Sequence, residues 1–286
     1  MKILLQQQGV CPDKPCRDYI RTPLSYAAER GHEGVVERLL EQGEVNPDRL
    51  DMSGRTPLSY AAWCGREGVI KLLVRQEGVN PDKSSYDGQT PLSYAAQKGH
   101  EGVVRILLEE EKVNPNASDN HGKTPLFYAS LKGHPGIVKR LLGREEVNPG
   151  KPDHTGQTPL AEAAAKGHVE VVNILLGRPD VNPDKLCNYG STPLSQAAWN
   201  GHEVIVKALL EPEEVNPDSQ DNDDRTPLQH AASSGHEGVV KILLGREEVN
   251  QDRQDNKGRT PLFAATEWGH DGMVKMLIGR KDVTPD

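Results

Sequence analysis

The chain predicts an all-α solenoid, in which helix–turn–helix units stack in a row and hairpin loops join them. Three observations carry that prediction. The tripeptide Thr-Pro-Leu begins at Thr22, Thr56, Thr90, Thr124, Thr158, Thr192, Thr226 and Thr260, so every interval is 34 residues. Each interval holds one short run rich in small residues and one apolar–polar run at helical spacing, with a Gly between them. The composition, 35% hydrophobic with two Phe and three Trp, suits a thin core of Leu, Val and Ala rather than one large aromatic core. A unit of two short helices cannot cover its own apolar stripe, whereas stacking on its neighbour does.

Each element of the unit has a local cause. Thr is a good N-cap, and Pro at the next position suits the first helical turn. Leu58, Ala61 and Ala62 then fall at i, i+3 and i+4, on one face of an inner helix. The small residues let a neighbouring helix approach closely. Gly65 and its equivalents end that helix with a permissive backbone. After one turn an outer helix begins, whose buried stripe in the first repeat is Val35, Val36, Leu39 and Leu40. Pro135 stands near the start of one outer helix, where Pro is tolerated. Val-Asn-Pro-Asp, as in Val45 to Asp48, stops the outer helix, and Asp51-Met52-Ser53-Gly54 supplies the hairpin turn.

Residues 17–286 thus form eight tandem repeats of one expected solenoid, preceded at 1–16 by a partial repeat in which Leu4-Leu5 align with Leu39-Leu40. Some positions depart from the pattern. Ile20 and Asp224 replace the turn Gly, Gln251 replaces the loop Pro, and Arg66 replaces a His. Neither end carries a polar cap, so a monomer able to associate end to end, or a fragment of a longer array, is expected.

The motifs Thr-Pro-Leu-Ser-Tyr-Ala-Ala, Gly-His and Val-Asn resemble the ankyrin repeat signature across essentially the whole chain. The 34-residue period also matches tetratricopeptide repeats, but those place their marker Pro near the end of the unit and use a Trp-Leu-Gly-Tyr pattern. The residue added to the usual ankyrin period falls around Val-Asn-Pro-Asp. That variant is similar to ankyrin arrays of filamentous fungi, which often follow a NACHT nucleotide-binding module. The resemblance implies a non-enzymatic protein with a concave binding surface of hairpin tips and inner helices.

Several function classes are disfavoured directly. A net charge of −8 repels phosphate backbones, which argues against a nucleic-acid partner. The four Cys, at 11, 16, 64 and 187, form no zinc or disulfide framework, and a reducing compartment fits them. The N-terminal apolar run, Ile3 to Leu5, is too short for a signal peptide, and no stretch approaches a membrane span. An intracellular site, cytoplasmic or nuclear, is therefore expected. Seven of the ten His recur at the Gly-His position, which explains them by register and not as metal ligands. Gly122-Lys123-Thr124 mimics the end of a phosphate loop, but the first Gly of that motif would be Ala117. Asp218, Asp221, Asp223 and Asp224 read as a solvated turn and not a calcium loop. No catalytic constellation and no cofactor site is visible.

Candidate contact residues come from five positions per repeat that vary between repeats: −4, −3, −1, +7 and +8 relative to the Thr. Tyr19, Trp63, Tyr86, Tyr189, Trp199 and Trp268 fall there, including all three Trp of the chain. Trp and Tyr are common interface anchors. The same strip carries Arg21, Arg30, Arg55, Lys98, Lys123, Lys132, Lys166, Arg225, Lys257 and Arg259 against Asp18, Glu29, Asp87, Asp223 and Glu267, a balance of +5 that points to an acidic partner segment. Position +4 is Tyr26, Tyr60, Tyr94 and Tyr128 in the first four repeats. At about 100° per residue it lies opposite the Leu/Ala stripe, so Tyr60 and Tyr94 are expected to face the groove. The leading expectation is a scaffold that binds a protein or peptide partner along the concave face. The alternative is a sensing or autoinhibitory arm of a larger regulatory protein such as a NACHT-type NTPase.

Overall fold

A computed structural model describes residues 11–16 and 20–279. Among the described residues there are sixteen helices and no strand. The chain divides into two compact units, Met1–Asn148 and Pro149–Asp286. Leu4, Leu5 and Tyr19 lie outside the described residues.

The first unit holds four helix pairs. They are α1 (Pro23–Arg30) with α2 (Glu33–Leu40), α3 (Pro57–Trp63) with α4 (Glu67–Val74), α5 (Pro91–Lys98) with α6 (Glu101–Leu108), and α7 (Pro125–Lys132) with α8 (Pro135–Leu142). The second unit repeats the arrangement. Its pairs are α9 (Pro159–Lys166) with α10 (Val169–Leu176), α11 (Pro193–Trp199) with α12 (Glu203–Leu209), α13 (Pro227–Ser234) with α14 (Glu237–Leu244), and α15 (Pro261–Glu267) with α16 (Asp271–Gly279). Within each unit, inner helices pack on the next inner helix and outer helices on the next outer helix, giving two layers.

The predicted caps form. Thr56 Oγ1 accepts the backbone N–H of Ser59 at 3.1 Å, and the Ser59 side chain returns to the Thr56 backbone. Gln229 does the same for Thr226, accepting its N–H at 2.9 Å. These reciprocal bonds satisfy helix-end donors that would otherwise lack an acceptor. Gly99 ends α5 at φ 81°, and a Cβ there would sit 2.8 Å from the His134 ring. At the hairpin turn, where Gly54 and Gly88 are left-handed at φ 74° and 81°, Ile20 and Asp224 hold the same conformation without glycine, at φ 55° and 60°.

The core is largely aliphatic, with Tyr60, Tyr94, Phe127 and Tyr128 buried in it in the first unit. Leu58, Ala61, Ala62, Val69, Ile70 and Leu73 are fully buried in the first unit, and Leu194, Ala197, Ala198, Ile205, Val206 and Leu209 in the second. The stripe of α2 is narrower than expected: Val36 and Leu39 are buried, whereas Val35 and Leu40 are half-exposed.

The Gly-His residues are structural. The Nε2 atoms of His100, His202 and His236 lie 3.0–3.1 Å from the carbonyl oxygens of Trp63, Ala165 and Trp199, each in the inner helix one repeat earlier. Arg66, which replaces a His in this register, makes the same link: its Nε donates to Glu29 O at 2.9 Å.

Candidate functional site

The surface of interest in each unit is built from the hairpin tips and the exposed side of the inner helices. A buried acid organises five of the hairpins. Asp51 Oδ1 accepts the backbone N–H groups of Ser53 and Arg55 at 2.8 and 2.9 Å. Asp119, Asp153, Asp221 and Asp255 bind their own hairpins in the same way. Successive tips are then zipped together, Tyr86 N–H to Ser53 O and Asn120 N–H to Asp87 O, both at 3.0 Å. Sequence reasoning placed Asp51 in the hairpin turn and read Asp221 as part of a solvated turn; both are buried, and their role as the acceptors that hold the hairpin was not foreseen. The signal was present: Asp51, Asp119, Asp153, Asp221 and Asp255 fall in one 34-residue register, with Arg17, Ser85 and Cys187 in the remaining places.

The tyrosine ladder of the first unit is not the open groove lining expected. Tyr60 and Tyr94 are buried, Tyr94 almost completely. The Tyr60 hydroxyl donates to Asp51 Oδ2 at 2.5 Å and the Tyr94 hydroxyl to Ser85 Oγ at 3.1 Å. The helical-wheel argument gave the direction of the ring but omitted the arginine that folds over it. Arg21 lies 4.1 Å from the Tyr26 ring centre and 3.8 Å from that of Tyr60, and Arg55 lies 5.3 Å from Tyr94. Guanidinium groups at these distances are held by the ring quadrupole. Burial, with the hydrogen bond to Asp51, pushes the Tyr60 hydroxyl up to about 12. Tyr60 and Tyr94 therefore support the surface and do not form it.

Trp63 is half-buried. It meets Tyr94 edge-on with ring centres 5.5 Å apart, and Lys98 Nζ sits 3.8 Å above its ring. Tyr86 projects from its hairpin tip with 64% of its surface exposed. Arg30 and Lys132 are exposed and pair with no acid among the described residues.

In the second unit, position +4 is no longer aromatic. Gln196 and Gln157 exchange side-chain hydrogen bonds at 2.8 and 3.0 Å. His230 Nε2 lies 2.9 Å from Asp221 Oδ2, and both side chains are buried. Burial alone would raise the Asp221 carboxyl. The hydrogen bond from His230, the Arg225 backbone N–H and the neighbouring charges outweigh it and hold Asp221 at about 2. Arg225 pairs with Asp221 at 3.2 Å and Asp223 at 2.7 Å, and Arg259 with Asp255 at 2.8 Å and Glu267 at 3.4 Å. The bases counted toward an acidic partner are thus largely engaged within the chain here.

Four aromatic side chains of this unit remain in water: Tyr189 at 68% exposure, Trp199 at 47%, Phe263 at 51% and Trp268 at 65%. Trp199 and Trp268 flank a cleft of about 350 Å³ whose lining includes Arg225, Gln229, Asp255 and Arg259.

Among the described residues no group of His, Cys, Asp and Glu is arranged to hold a metal ion, and no helix is long and apolar enough to cross a membrane. A family model described as "Ankyrin repeats (3 copies)" matches residues 1–85, 76–153, 133–221 and 205–286. No curated protein matches the chain.

Proposed function

The chain belongs to the ankyrin-repeat family, a non-enzymatic fold that serves protein–protein interaction, and from that premise we propose that it binds a partner protein or peptide across its hairpin tips and inner helices. One observation carries the proposal. Tyr86, Tyr189, Trp199 and Trp268 hold 47–68% of their surface in water on this side of their units, whereas the buried aromatic residues, Tyr60, Tyr94, Phe127 and Tyr128, all belong to the first unit. Large rigid rings exposed on a preorganised scaffold lose little entropy on binding and bury much apolar area, which makes them anchors. An acidic segment of the partner would be met in the first unit, where Arg30 and Lys132 lack internal acids among the described residues.

Affinity capture tests the reading. The intact chain is compared with a variant carrying Tyr86→Ala, Tyr189→Ala, Trp199→Ala and Trp268→Ala, after circular dichroism has shown equal helix content. Proteins retained by the first and lost by the second support the proposal. An identical set of retained proteins contradicts it.

A further inference from the structure

Trp63 and Trp199 occupy the same register, seven residues after the capping Thr56 and Thr192. Their surroundings match on one side. Trp63 meets Tyr94 edge-on at 5.5 Å and 79°, and Trp199 meets His230 edge-on at 5.1 Å and 65°, each ring being supplied by the following inner helix. The other side differs. The Trp63 indole is covered by two cations, Lys98 Nζ at 3.8 Å and the Arg55 guanidinium at 5.7 Å. In the second unit the residues in those two registers are Ser234 and Ser191. Trp199 therefore lacks both of these internal cations, and the space beside it is the cleft that Ser234 lines and Trp268 flanks.

Neither arginine of that cleft is free. Arg225 and Arg259 line it together with Asp255 and Glu267; Arg259 pairs with both of these acids, and Arg225 pairs with Asp221 and Asp223, which stand outside the lining. An acidic side chain entering here would find both arginines already paired. A lysine or arginine would lay its methylene stem along apolar surface and its charge over an indole face.

We propose that the Trp199–Trp268 cleft receives a lysine or arginine side chain of the partner, with its cationic head over the Trp199 ring in the place that Lys98 takes on Trp63. The proposal rests on the reading of this face as a protein-binding surface and names the chemistry of one contact within it.

The test follows the indole N–H resonances of the full chain, assigned with Trp63→Phe, Trp199→Phe and Trp268→Phe, during titration with a lysine decamer and, separately, a glutamate decamer. The lysine decamer moves the Trp199 and Trp268 signals and leaves Trp63 in place; the glutamate decamer moves neither of the first two. Ser234→Lys restores the internal cation and weakens lysine-decamer binding about tenfold, while Glu267→Gln weakens it about threefold. Both substitutions fall on half-buried or exposed positions, and unchanged thermal unfolding confirms the fold. A Trp199 signal indifferent to the lysine decamer, an equal response to the glutamate decamer, or undiminished binding by Ser234→Lys each overturns the assignment. If aromatic-dependent capture persists while the lysine decamer fails, the cation assignment falls and the broader binding role stands. If the decamer binds as described while capture is indifferent to the aromatic residues, the broader role fails instead.

Discussion

The Tyr60 hydroxyl donates a 2.5 Å hydrogen bond to Oδ2 of Asp51, the same aspartate whose Oδ1 shapes the preceding hairpin. One buried carboxylate thus joins an inner helix to the turn that precedes it. Tyr128 with Asp119 and His230 with Asp221 repeat the link. Tyr60→Phe keeps the ring beneath Arg21 and removes only the bond, leaving a buried carboxylate oxygen unsatisfied. The expected loss is about 1–3 kcal/mol in urea unfolding. A loss near zero would show that the hairpin is held without it.

Asp221 makes stability pH-dependent, with the sign set by its lowered carboxyl. The folded Asp221 carboxyl lies at about 2, below its ordinary 3.8. Its contribution is complete above the unfolded value and is lost as pH falls from about 4 through 2. Asp221→Asn should lower stability at pH 7 and flatten the acid limb between pH 4 and 2 relative to the parent chain.

Asp82 has the opposite sign. It sits in the back loop, accepts the Asn114 N–H through Oδ2, and has its Oδ1 buried with no hydrogen-bonding atom in reach. Burial raises its carboxyl above 3.8. That contribution favours folding at low pH and is lost as pH rises through the folded value. One repeat on, the same register is Asn116, whose Nδ2 donates to Glu146 O while its Oδ1 accepts the Asn148 N–H. Asp82→Asn should therefore stabilise the chain at pH 7, by about 1 kcal/mol, and by less as pH approaches 4.

Ile20 holds φ 55° with a branched Cβ and is 44% exposed. A left-handed backbone costs a side-chain-bearing residue about 1–2 kcal/mol, of which glycine's extra unfolded-state entropy returns part. Ile20→Gly is expected to raise the melting temperature, with a gain of about 0.5–1 kcal/mol. A lower melting temperature would mean that the Ile20 side chain contributes more by packing than its backbone costs.

The fold was legible because each repeat states its own cap, breaker and apolar stripe, and eight copies of the statement agree. The site was legible only in part. Trp199 and Trp268 were found because aromatic residues are sporadic in their registers rather than fixed in every repeat, and both are exposed. Tyr94 was misread because a wheel diagram contains one helix, and the cover over Tyr94 is Arg55, which comes from a different repeat. The strip of bases was misread for a related reason. A count of Arg225 and Arg259 omits Asp221 and Asp255, which lie at −5, one register outside the strip. The difference between Trp63 and Trp199 is likewise invisible at those positions, because it is set one repeat further on by Lys98 and Ser234.

The binding face itself can be tested by placing a photo-reactive phenylalanine analogue at Tyr86, Tyr189 or Trp268, and separately at Val204, an outer-helix residue that is 60% exposed. The account predicts that irradiation crosslinks a captured partner from the first three positions and not from Val204. Crosslinking from Val204 alone would contradict it.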